Sequence, residues 1–350
     1  SNHSPDTLAY LWFHLWPNAY KNDRTAFSEQ LLENGRTDFY FSNKNERGYI
    51  NQLDFRVRQM TCKLEDHPQY IDVVKVILPY ALLPGDSVII TTPFHVQLPS
   101  NFSRGGHNGN SYQITQWYPK PAVYDAQGWH PMPYLDQGEF YSEFGDYKVQ
   151  ITLPENYVVA APGTLLNTNE RQWLLQKAAK KPLPATAPAK PAAKKIVTSA
   201  PPKKTVRSRS KTINYTLENA VDFAWFADTS FLVNNDTLQL ISGKTIELFS
   251  FYPATESKTW KKSIQHMKGA IRFRSNVLGD YPYTSMTAVY APMGFPGGME
   301  YPGITSISAS SDDRTLDLVM QHEIGHNWFQ AALASNERDF PWMDEGMNTY

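Results

Sequence analysis

Residues 321–329, "QHEIGHNWF", place two histidines four positions apart, with a glutamate directly after the first. On an α-helix, residues four positions apart lie one above the other on the same face, with Cβ atoms about 5–6 Å apart. His322 and His326 can therefore each direct one imidazole nitrogen at a single zinc ion. Glu323 lies about 100° further around the helix, where it can reach a water molecule beside that ion and act as a general base.

A catalytic zinc site requires a third protein ligand and a position for water. Glu345 follows His326 after eighteen intervening residues that include the turn-like segment "ERDFPW". This separation allows one helix to end and a second helix to cross it. The sequence therefore predicts one Zn²⁺ ion bound by His322, His326 and Glu345. The alternative is a chance pattern on a helix surface without metal, expected in about one chain in a hundred.

The composition is that of a folded protein, with 350 residues of which 41% are hydrophobic and 13% aromatic, enough for two domains. Cys62 is the single cysteine, so the chain forms no intrachain disulfide and binds no metal through a cysteine cluster. No apolar run approaches the ~20 residues of a membrane-spanning helix. Since Ser1 resembles a processed start, a bacterial periplasmic or otherwise exported location is slightly favoured over the cytoplasm.

The net charge of −1 hides an uneven distribution of charge along the chain. Residues 172–217 contain eleven Lys or Arg residues and no Asp or Glu. This segment is rich in Ala and Pro as well, and between residues 177 and 211 it has no aromatic residue that would stack on nucleic-acid bases. We therefore predict a solvated loop at 176–211, inserted between two strands, and no nucleic-acid partner.

Residues 1–240 consist mostly of strand-length runs of Val, Ile, Tyr and Phe, separated by Pro, Gly, Asn and Asp. This pattern predicts β-structure. One exception is "KNDRTAFSEQLLENG", a short helix with Asn22 or Asp23 as its N-cap and Gly35 just past its end. The predicted domains are 1–240, mostly β, and 241–350, which carries the zinc motif.

The second part alternates helices and strands. A strand "TSMTAVYAP", a glycine-rich turn "MGFPGGMEYPG" and a strand "ITSIS" precede the zinc-motif helix, which begins at 311–313 because Ser and Asp are favoured N-cap residues. A last helix opens at "WMDEGMNTY". The first helix of this part is predicted from apolar residues at helical spacing, namely Trp260, Ile264, Met267, Ile271 and Val277.

Several of these motifs resemble those of a known family. "HEIGHNWF", the eighteen-residue gap and "WMDEGMNTY" are similar to the zinc signature of the aminopeptidase N-like metallopeptidases, a gluzincin family. "GGMEY" at 297–301 stands where that family carries its Gly-x-Met-Glu-Asn exopeptidase motif, and "LGDYPY" fits the family's lead-in. The resemblance extends back through "YQITQWYP" and "GEFYSEFGDYKVQITLPENYVVAAPG", so it covers most of the chain.

The resemblance implies a multidomain β plus α+β fold, with an N-terminal saddle-like antiparallel β domain followed by a thermolysin-like catalytic domain. It also implies Zn²⁺ as cofactor and peptides with a free N-terminus as substrates. In the family the catalytic domain continues beyond "EGMNTY" and supplies an oxyanion-stabilising tyrosine and a helical C-terminal domain. The chain is therefore expected to be truncated at its C-terminus and poorly active without the remaining C-terminal part.

The resemblance also implies roles for residues that bind substrate. Glu300 is expected to bind the α-ammonium of the peptide by a charge-assisted hydrogen bond. Gly297 and Gly298, beside Met299, lack Cβ atoms, so an extended substrate is expected to pair with their backbone. Gln116 matches a glutamine that lines the pocket for the amino end.

Two positions depart from the family pattern. Tyr301 stands where the family has Asn, and Tyr118 stands where it has an acid or an amide. The pocket for the amino end therefore has one fewer polar anchor, which leaves the preferred N-terminal residue open.

Two alternatives to a zinc aminopeptidase remain open. A thermolysin-like endopeptidase shares the two histidines, Glu323 and a distant glutamate ligand, but the motif around Glu300 argues against it. A catalytically silent scaffold would retain the fold, and Tyr301 and Tyr118 favour that interpretation, whereas the intact set of zinc ligands opposes it.

Overall fold

The protein, represented by a computed structural model, is described over residues 1–179 and 209–349. The predicted loop at 176–211 lies almost entirely outside the described residues. Short 3-10 helices cover Trp16–Tyr20, Ala254–Glu256 and Pro341–Met343. The α-helices of the described part are α1 (Ala26–Glu33), α2 (Thr168–Ala179), α3 (Ser257–Trp260), α4 (Ser263–Leu278), α5 (Asp313–Phe329) and α6 (Glu345–Thr349).

The first part of the chain is built from short antiparallel strands, as predicted. Up to residue 179 they are β1 (Leu8–His14), β2 (Tyr49–Asn51), β3 (Arg56–Val57), β4 (Met60–Thr61), β5 (Lys63–Asp66), β6 (Val73–Leu82), β7 (Ile90–Thr91), β8 (His95–Gln97), β9 (Gly106–Asn108), β10 (Ser111–Ile114), β11 (Lys120–Pro121), β12 (Tyr124–Asp125), β13 (Gly128–Trp129), β14 (Gly145–Pro154), β15 (Val158–Ala160) and β16 (Thr164–Leu165). After residue 208 the chain continues with β17 (Ser210–Ala220) and β18 (Trp225–Asp228).

These strands form several small sheets rather than one large one. The two four-stranded sheets have the orders β11-β1-β6-β5 and β15-β18-β10-β9, and β14-β17-β16 forms a three-stranded sheet. β14 and β17 pair from Pro154 opposite Ser210 to Gly145 opposite Ala220. The sequence analysis placed the predicted loop between two strands, but helix α2 follows the first of them, and its last residues, 176–179, had been predicted as part of the loop.

Helix α1 begins two or three residues later than its two predicted cap positions suggested. Its N-cap is Thr25, whose side chain accepts a hydrogen bond from the Ser28 N–H, so the prediction of Asn22 or Asp23 was wrong. All three residue types are good caps, so the sequence does not distinguish them. Gly35 follows the helix with φ +76°, as predicted for a residue just past a helix end.

A five-stranded sheet organises the second part. Its strands are β19 (Leu232–Gln239), β20 (Thr245–Tyr252), β21 (Ser285–Tyr290), β22 (Gly298–Tyr301) and β23 (Ile304–Ile307), in the order β19-β20-β21-β23-β22. β20, β21 and β23 are parallel, whereas β19 and β22 are antiparallel edge strands. β19 pairs with β20 along its whole length, so the predicted boundary after residue 240 separates two strands of one sheet.

The apolar face of α3 and α4 packs into the core between this sheet and α5. Trp260, Met267 and Ile271 are fully buried there together with Leu316 and other residues of α5. Val277 was predicted to share this face but is exposed. It lies six residues after Ile271, a rotation of about 240° from the buried face.

None of the helices within residues 1–179 and 209–349 combines the length and the apolar character needed to cross a bilayer.

Candidate metal centre

Helix α5 aligns the two histidines of the HEIGH motif. Its N-cap is Asp312, whose side chain accepts a hydrogen bond of 2.8 Å from the Thr315 N–H. Ten residues later the imidazoles of His322 and His326 meet, with their Nε2 atoms 3.2 Å apart. Two imidazole nitrogens at this distance can bind one ion between them when neither of them carries a proton.

Glu345, the first residue of α6, brings a carboxylate to the same point. Its Oε2 lies 3.1 Å from His322 Nε2 and 3.9 Å from His326 Nε2. Ligands of one tetrahedral zinc ion at 2.0–2.1 Å lie about 3.3 Å from one another. The three predicted ligands therefore converge on a volume that fits one ion, while their assignment to zinc stays a prediction.

Two further residues join α6 to α5. Asn348 donates a hydrogen bond of 2.7 Å from Nδ2 to the His322 carbonyl and accepts one of 3.2 Å from Arg274. Gly325 makes this close approach possible, because a Cβ atom there would lie 1.9 Å from Asn348 Oδ1. The glycine directly before His326 is therefore required by the packing of α6 against α5.

Asp344 is a member of the site that the sequence interpretation missed. Its Oδ1 accepts a hydrogen bond of 2.5 Å from His326 Nδ1, and both side chains are almost completely buried. This bond fixes the ring of His326 and leaves its Nε2 free for an ion. The need of a ligating histidine for such a partner could have predicted a nearby carboxylate, but not which one.

Glu323 lies beside the three predicted ligands and is buried. Burial raises the pKa of its carboxyl to about 7, against the opposing attraction of His326 and His322. Its Oε2 has no hydrogen-bond partner among the described residues. The carboxyl group can therefore exchange a proton near neutral pH with a molecule bound at the site.

Gly298 packs directly against Glu323. A Cβ atom at position 298 would lie 2.3 Å from Glu323 Cδ, closer than any side chain allows. The segment predicted as a glycine-rich turn contains the edge strand β22 at this point. The absence of a side chain at Gly298 lets this strand approach the predicted base.

Replacing Gly298 by alanine is therefore expected to displace Glu323 and lower kcat/KM by about 10²-fold, because a shift of about 1 Å in a reacting group has this effect. The measurement is hydrolysis of an aminoacyl-nitroanilide by the full-length protein. Gly145→Ala is the matched control, since the nearest atom to a Cβ there is 4.0 Å away. Equal rates for Gly298→Ala and the control would contradict the prediction.

Glu300 lies in strand β22, buried, next to the predicted zinc ligands. Ligand atoms of Glu300, His326 and Asp344 lie within 4.8 Å of one another. Burial raises the pKa of the Glu300 carboxyl well above its usual range, and the nearby carboxylates of Glu139 and Asp344 raise it further. A positively charged ligand would relieve this cost.

Backbone groups of Gly297 and Met299, the motif residues before Glu300, form hydrogen bonds with neighbouring residues of the protein. Gly297 donates its N–H to Ser308 Oγ at 2.9 Å, and its carbonyl accepts from the Ser308 N–H at 2.9 Å. Met299 is buried in an apolar cluster and its carbonyl accepts from Thr305 Oγ. The outer edge of β22 has no neighbouring strand among the described residues.

Gln116 and Tyr301 line a small cavity that also contains Glu300. Gln116 is buried with φ +45°, and its Oε1 has no hydrogen-bond partner within the described residues. Tyr118 is engaged elsewhere, because its hydroxyl bonds both Asp222 and Tyr147 at 3.0 Å. The structure thus brings Gln116 to Glu300 and uses Tyr118 for a different contact.

Comparisons with known proteins give short sequence matches and a fold match that covers 99% of this chain. No family model matches the chain. It is 25% identical over 122 residues to leucine aminopeptidase 2 of Candida albicans, which is 34% of this chain and 19% of that protein. It is 33% identical over 79 residues to aminopeptidase O of Mus musculus, 21% of this chain and 10% of that protein.

Among solved structures, the chain is similar to an M1 zinc metallopeptidase from Deinococcus radiodurans, with TM-score 0.55 and 15% identity over 99% of this chain and 62% of that one. The fold is that of the M1 metallopeptidases. The resemblance to the aminopeptidase N-like family and the predicted two-domain fold are thereby confirmed, whereas the truncation of the catalytic domain at its C-terminus stays a prediction. A variant of the same Deinococcus protein, solved with a Tyr-Ser-Ala substrate, matches the M1 fold of this chain with TM-score 0.56 and 15% identity, again over 99% and 62%.

The chain spans less than two thirds of the M1 structures that it matches, and its sequence matches cover a smaller share of the curated relatives. Within the M1 fold, sequence reasoning had identified the predicted zinc ligands, Glu323 and Glu300. It had not identified Asp344, Glu139 or Glu337, which surround Glu300. Asp344 lies within the motif "WMDEGMNTY", but the sequence assigned it no role.

Proposed function

We propose that the protein is a zinc-dependent aminopeptidase that hydrolyses the first peptide bond of a peptide. The observation that carries this proposal is the convergence of His322 Nε2, His326 Nε2 and Glu345 Oε2 within 3.1–3.9 Å of one another. The donor set of two imidazoles and one carboxylate is typical of catalytic zinc sites. The names of the M1 relatives, which include zinc metallopeptidases and leucine aminopeptidases, support the same assignment.

His322, His326 and Glu345 would hold the ion, and Asp344 would orient His326. When bound, zinc polarises the scissile carbonyl and lowers the pKa of a water molecule. The remaining chemistry is proton transfer and substrate positioning, which fall to residues of the chain.

Glu323 is the proposed general base. It takes a proton from the attacking water and later delivers it to the nitrogen of the leaving amine. Its carboxyl lies against Gly298 and is shielded from solvent, which holds it in one position. A buried carboxyl group with a pKa of about 7 can both accept a proton and donate it near neutral pH.

Glu300 is the proposed anchor for the α-ammonium of the substrate. It is a buried carboxylate next to His326, so an ammonium bound to it leaves only the first peptide bond within reach of the site. The amide oxygen of Gln116 faces the same cavity and has no partner in the described part of the chain. An ammonium group would supply the missing donors.

The test compares aminoacyl-nitroanilides with N-acetylated peptides as substrates of the full-length protein. We expect turnover of the free amines only, and a loss of about 10-fold to 10²-fold in kcat/KM for Glu300→Gln, since hydrogen bonds to charged groups contribute about 1.5–3 kcal/mol. Cleavage of blocked peptides alone would favour the thermolysin-like endopeptidase. Stoichiometric zinc with no turnover of either substrate would favour the silent scaffold.

A further inference from the structure

The cavity beside Glu300 is lined by oxygen atoms that lack hydrogen-bond partners. Six buried oxygens on its wall are unpaired within residues 1–179 and 209–349: Gln116 Oε1, Glu139 Oε2, Ser142 Oγ, Tyr301 Oη, Gln330 Oε1 and Ser335 Oγ. The amide and carboxylate oxygens of Gln116, Glu139 and Gln330 can only accept hydrogen bonds, whereas the three hydroxyl groups can also accept them. Lys120 is the one cation on this wall, and its Nζ is already 3.2 Å from Asp222 Oδ2. We call this cavity the acceptor pocket.

Glu337 contributes a second buried carboxylate to the acceptor pocket. Its side chain is only 4% exposed, yet it makes no hydrogen bond or ion pair with another described residue. Burial raises the pKa of Glu337 well above its usual range, and the carboxylates of Asp344, Glu300 and Glu139 add to the effect. An unpaired acid in such surroundings destabilises the folded protein.

Arg338 fixes the segment that carries Glu337. Its Nε donates to the Glu139 carbonyl at 2.9 Å, and both terminal nitrogens donate to the Pro133 carbonyl at 3.1 and 3.2 Å. Position 337 is therefore held at the pocket although its side chain gains no bond there. Such an arrangement indicates a ligand-binding group rather than a structural one.

A ligand for the acceptor pocket must donate several hydrogen bonds, carry positive charge and be small. A primary ammonium group meets all three conditions, because it has three donors and one charge. Glu300 and Glu337 line one pocket, and Tyr118 offers no group to it because its hydroxyl is bonded to Asp222 and Tyr147. Glu337, which follows α5, is thus the second acid that lines the pocket with Glu300.

We propose that Glu337 is the second carboxylate that binds the α-ammonium of the substrate, together with Glu300. This inference rests on the proposed aminopeptidase function. In this proposal Glu337, in the segment after α5, determines specificity by binding the substrate. Proton transfer remains the role of Glu323.

The test measures binding in the zinc-loaded full-length protein with the Glu323→Gln background, which prevents turnover. Leucinamide and 4-methylpentanamide differ only by the α-amine, and calorimetry gives the affinity of each. We expect Glu337→Gln to weaken leucinamide binding by about 10-fold or more and to leave 4-methylpentanamide unchanged. Asp339→Asn, an exposed acid two residues away, is the matched control and should change neither.

Three outcomes are distinguishable. If the background protein does not prefer leucinamide, the proposed function itself fails. If it does and Glu337→Gln keeps the preference, or weakens both ligands equally, only the assignment of Glu337 is overturned. A loss confined to lysinamide, with leucinamide unaffected, would also overturn it, because the cation recognised would be a side chain.

Thermal unfolding provides a second, independent readout. Because Glu337→Gln removes a carboxylate that Glu300 and Glu139 repel, we expect the melting temperature to rise while the affinity for leucinamide falls. If Glu337 had only a structural role, the substitution would lower the melting temperature. A lowered melting temperature would therefore overturn the proposal.

Discussion

Replacing Glu323 by glutamine is expected to lower kcat by about 10²–10⁴-fold, the usual contribution of a positioned general base. The amide has the shape of the carboxylate but cannot take a proton from water. Glu323 is buried between Gly298 and the predicted zinc ligands, so no exposed acid of the helix can replace it. Zinc content should be unchanged, because the residue is not a predicted ligand.

The measurement combines steady-state hydrolysis of an aminoacyl-nitroanilide with metal analysis of the same samples. Asp317→Asn is the matched control, since it removes a half-exposed acid from the same helix and should keep full activity. Turnover that is the same in Glu323→Gln and the unmodified protein would eliminate the proposed mechanism.

Replacing His322 by alanine is expected to reduce zinc from one ion per chain to a small fraction, and activity with it. His322 Nε2 is the atom closest to both other ligand atoms, at 3.2 and 3.1 Å. Two remaining ligands cannot form the three-ligand site that catalytic zinc requires. Because the His322 side chain is one-third exposed, the fold should tolerate its loss better than that of His326, which is buried against Asp344.

Metal analysis after dialysis, and recovery of activity on adding zinc, would measure this effect. His95→Ala is a suitable control, because His95 is exposed and its side chain bonds only the Asn51 side chain among the hydrogen bonds of the described residues. Full zinc occupancy in the His322 variant would show that the triangle of ligand atoms is not the metal site.

Local spacing was sufficient to predict the helical part of the site. The four-residue repeat of His322 and His326 gives their common face directly, because helix geometry fixes it. The start of α5 at Asp312 and the burial of Trp260, Met267 and Ile271 also follow from local signals. The β character of the first part was predictable for the same reason.

Other features of the fold could not be predicted from the sequence, because they depend on contacts between segments that are distant along the chain. Strand β22 was interpreted as a turn, since its neighbours are glycine and proline, yet such residues are tolerated where a strand lies at the edge of a sheet. The boundary after residue 240 was placed inside a sheet, because no local signal reports that β19 pairs with β20. Thr25, and not Asn22 or Asp23, caps α1, and its hydroxyl also donates to the Ala19 carbonyl, a contact that the local sequence does not report.

The sequence by itself determined which residues can bind a metal and move a proton, because a motif within one helix, and its spacing to the next, depends on local geometry. Only the tertiary structure decided what surrounds them. Asp344 orients His326, and Gly298 leaves room for the side chain of Glu323. Glu337 and Glu300 line the same pocket of unpaired oxygens. These contacts join residues on separate helices, strands and loops. The free-energy cost of burying their charges depends on the tertiary structure, because only the folded chain removes these groups from water.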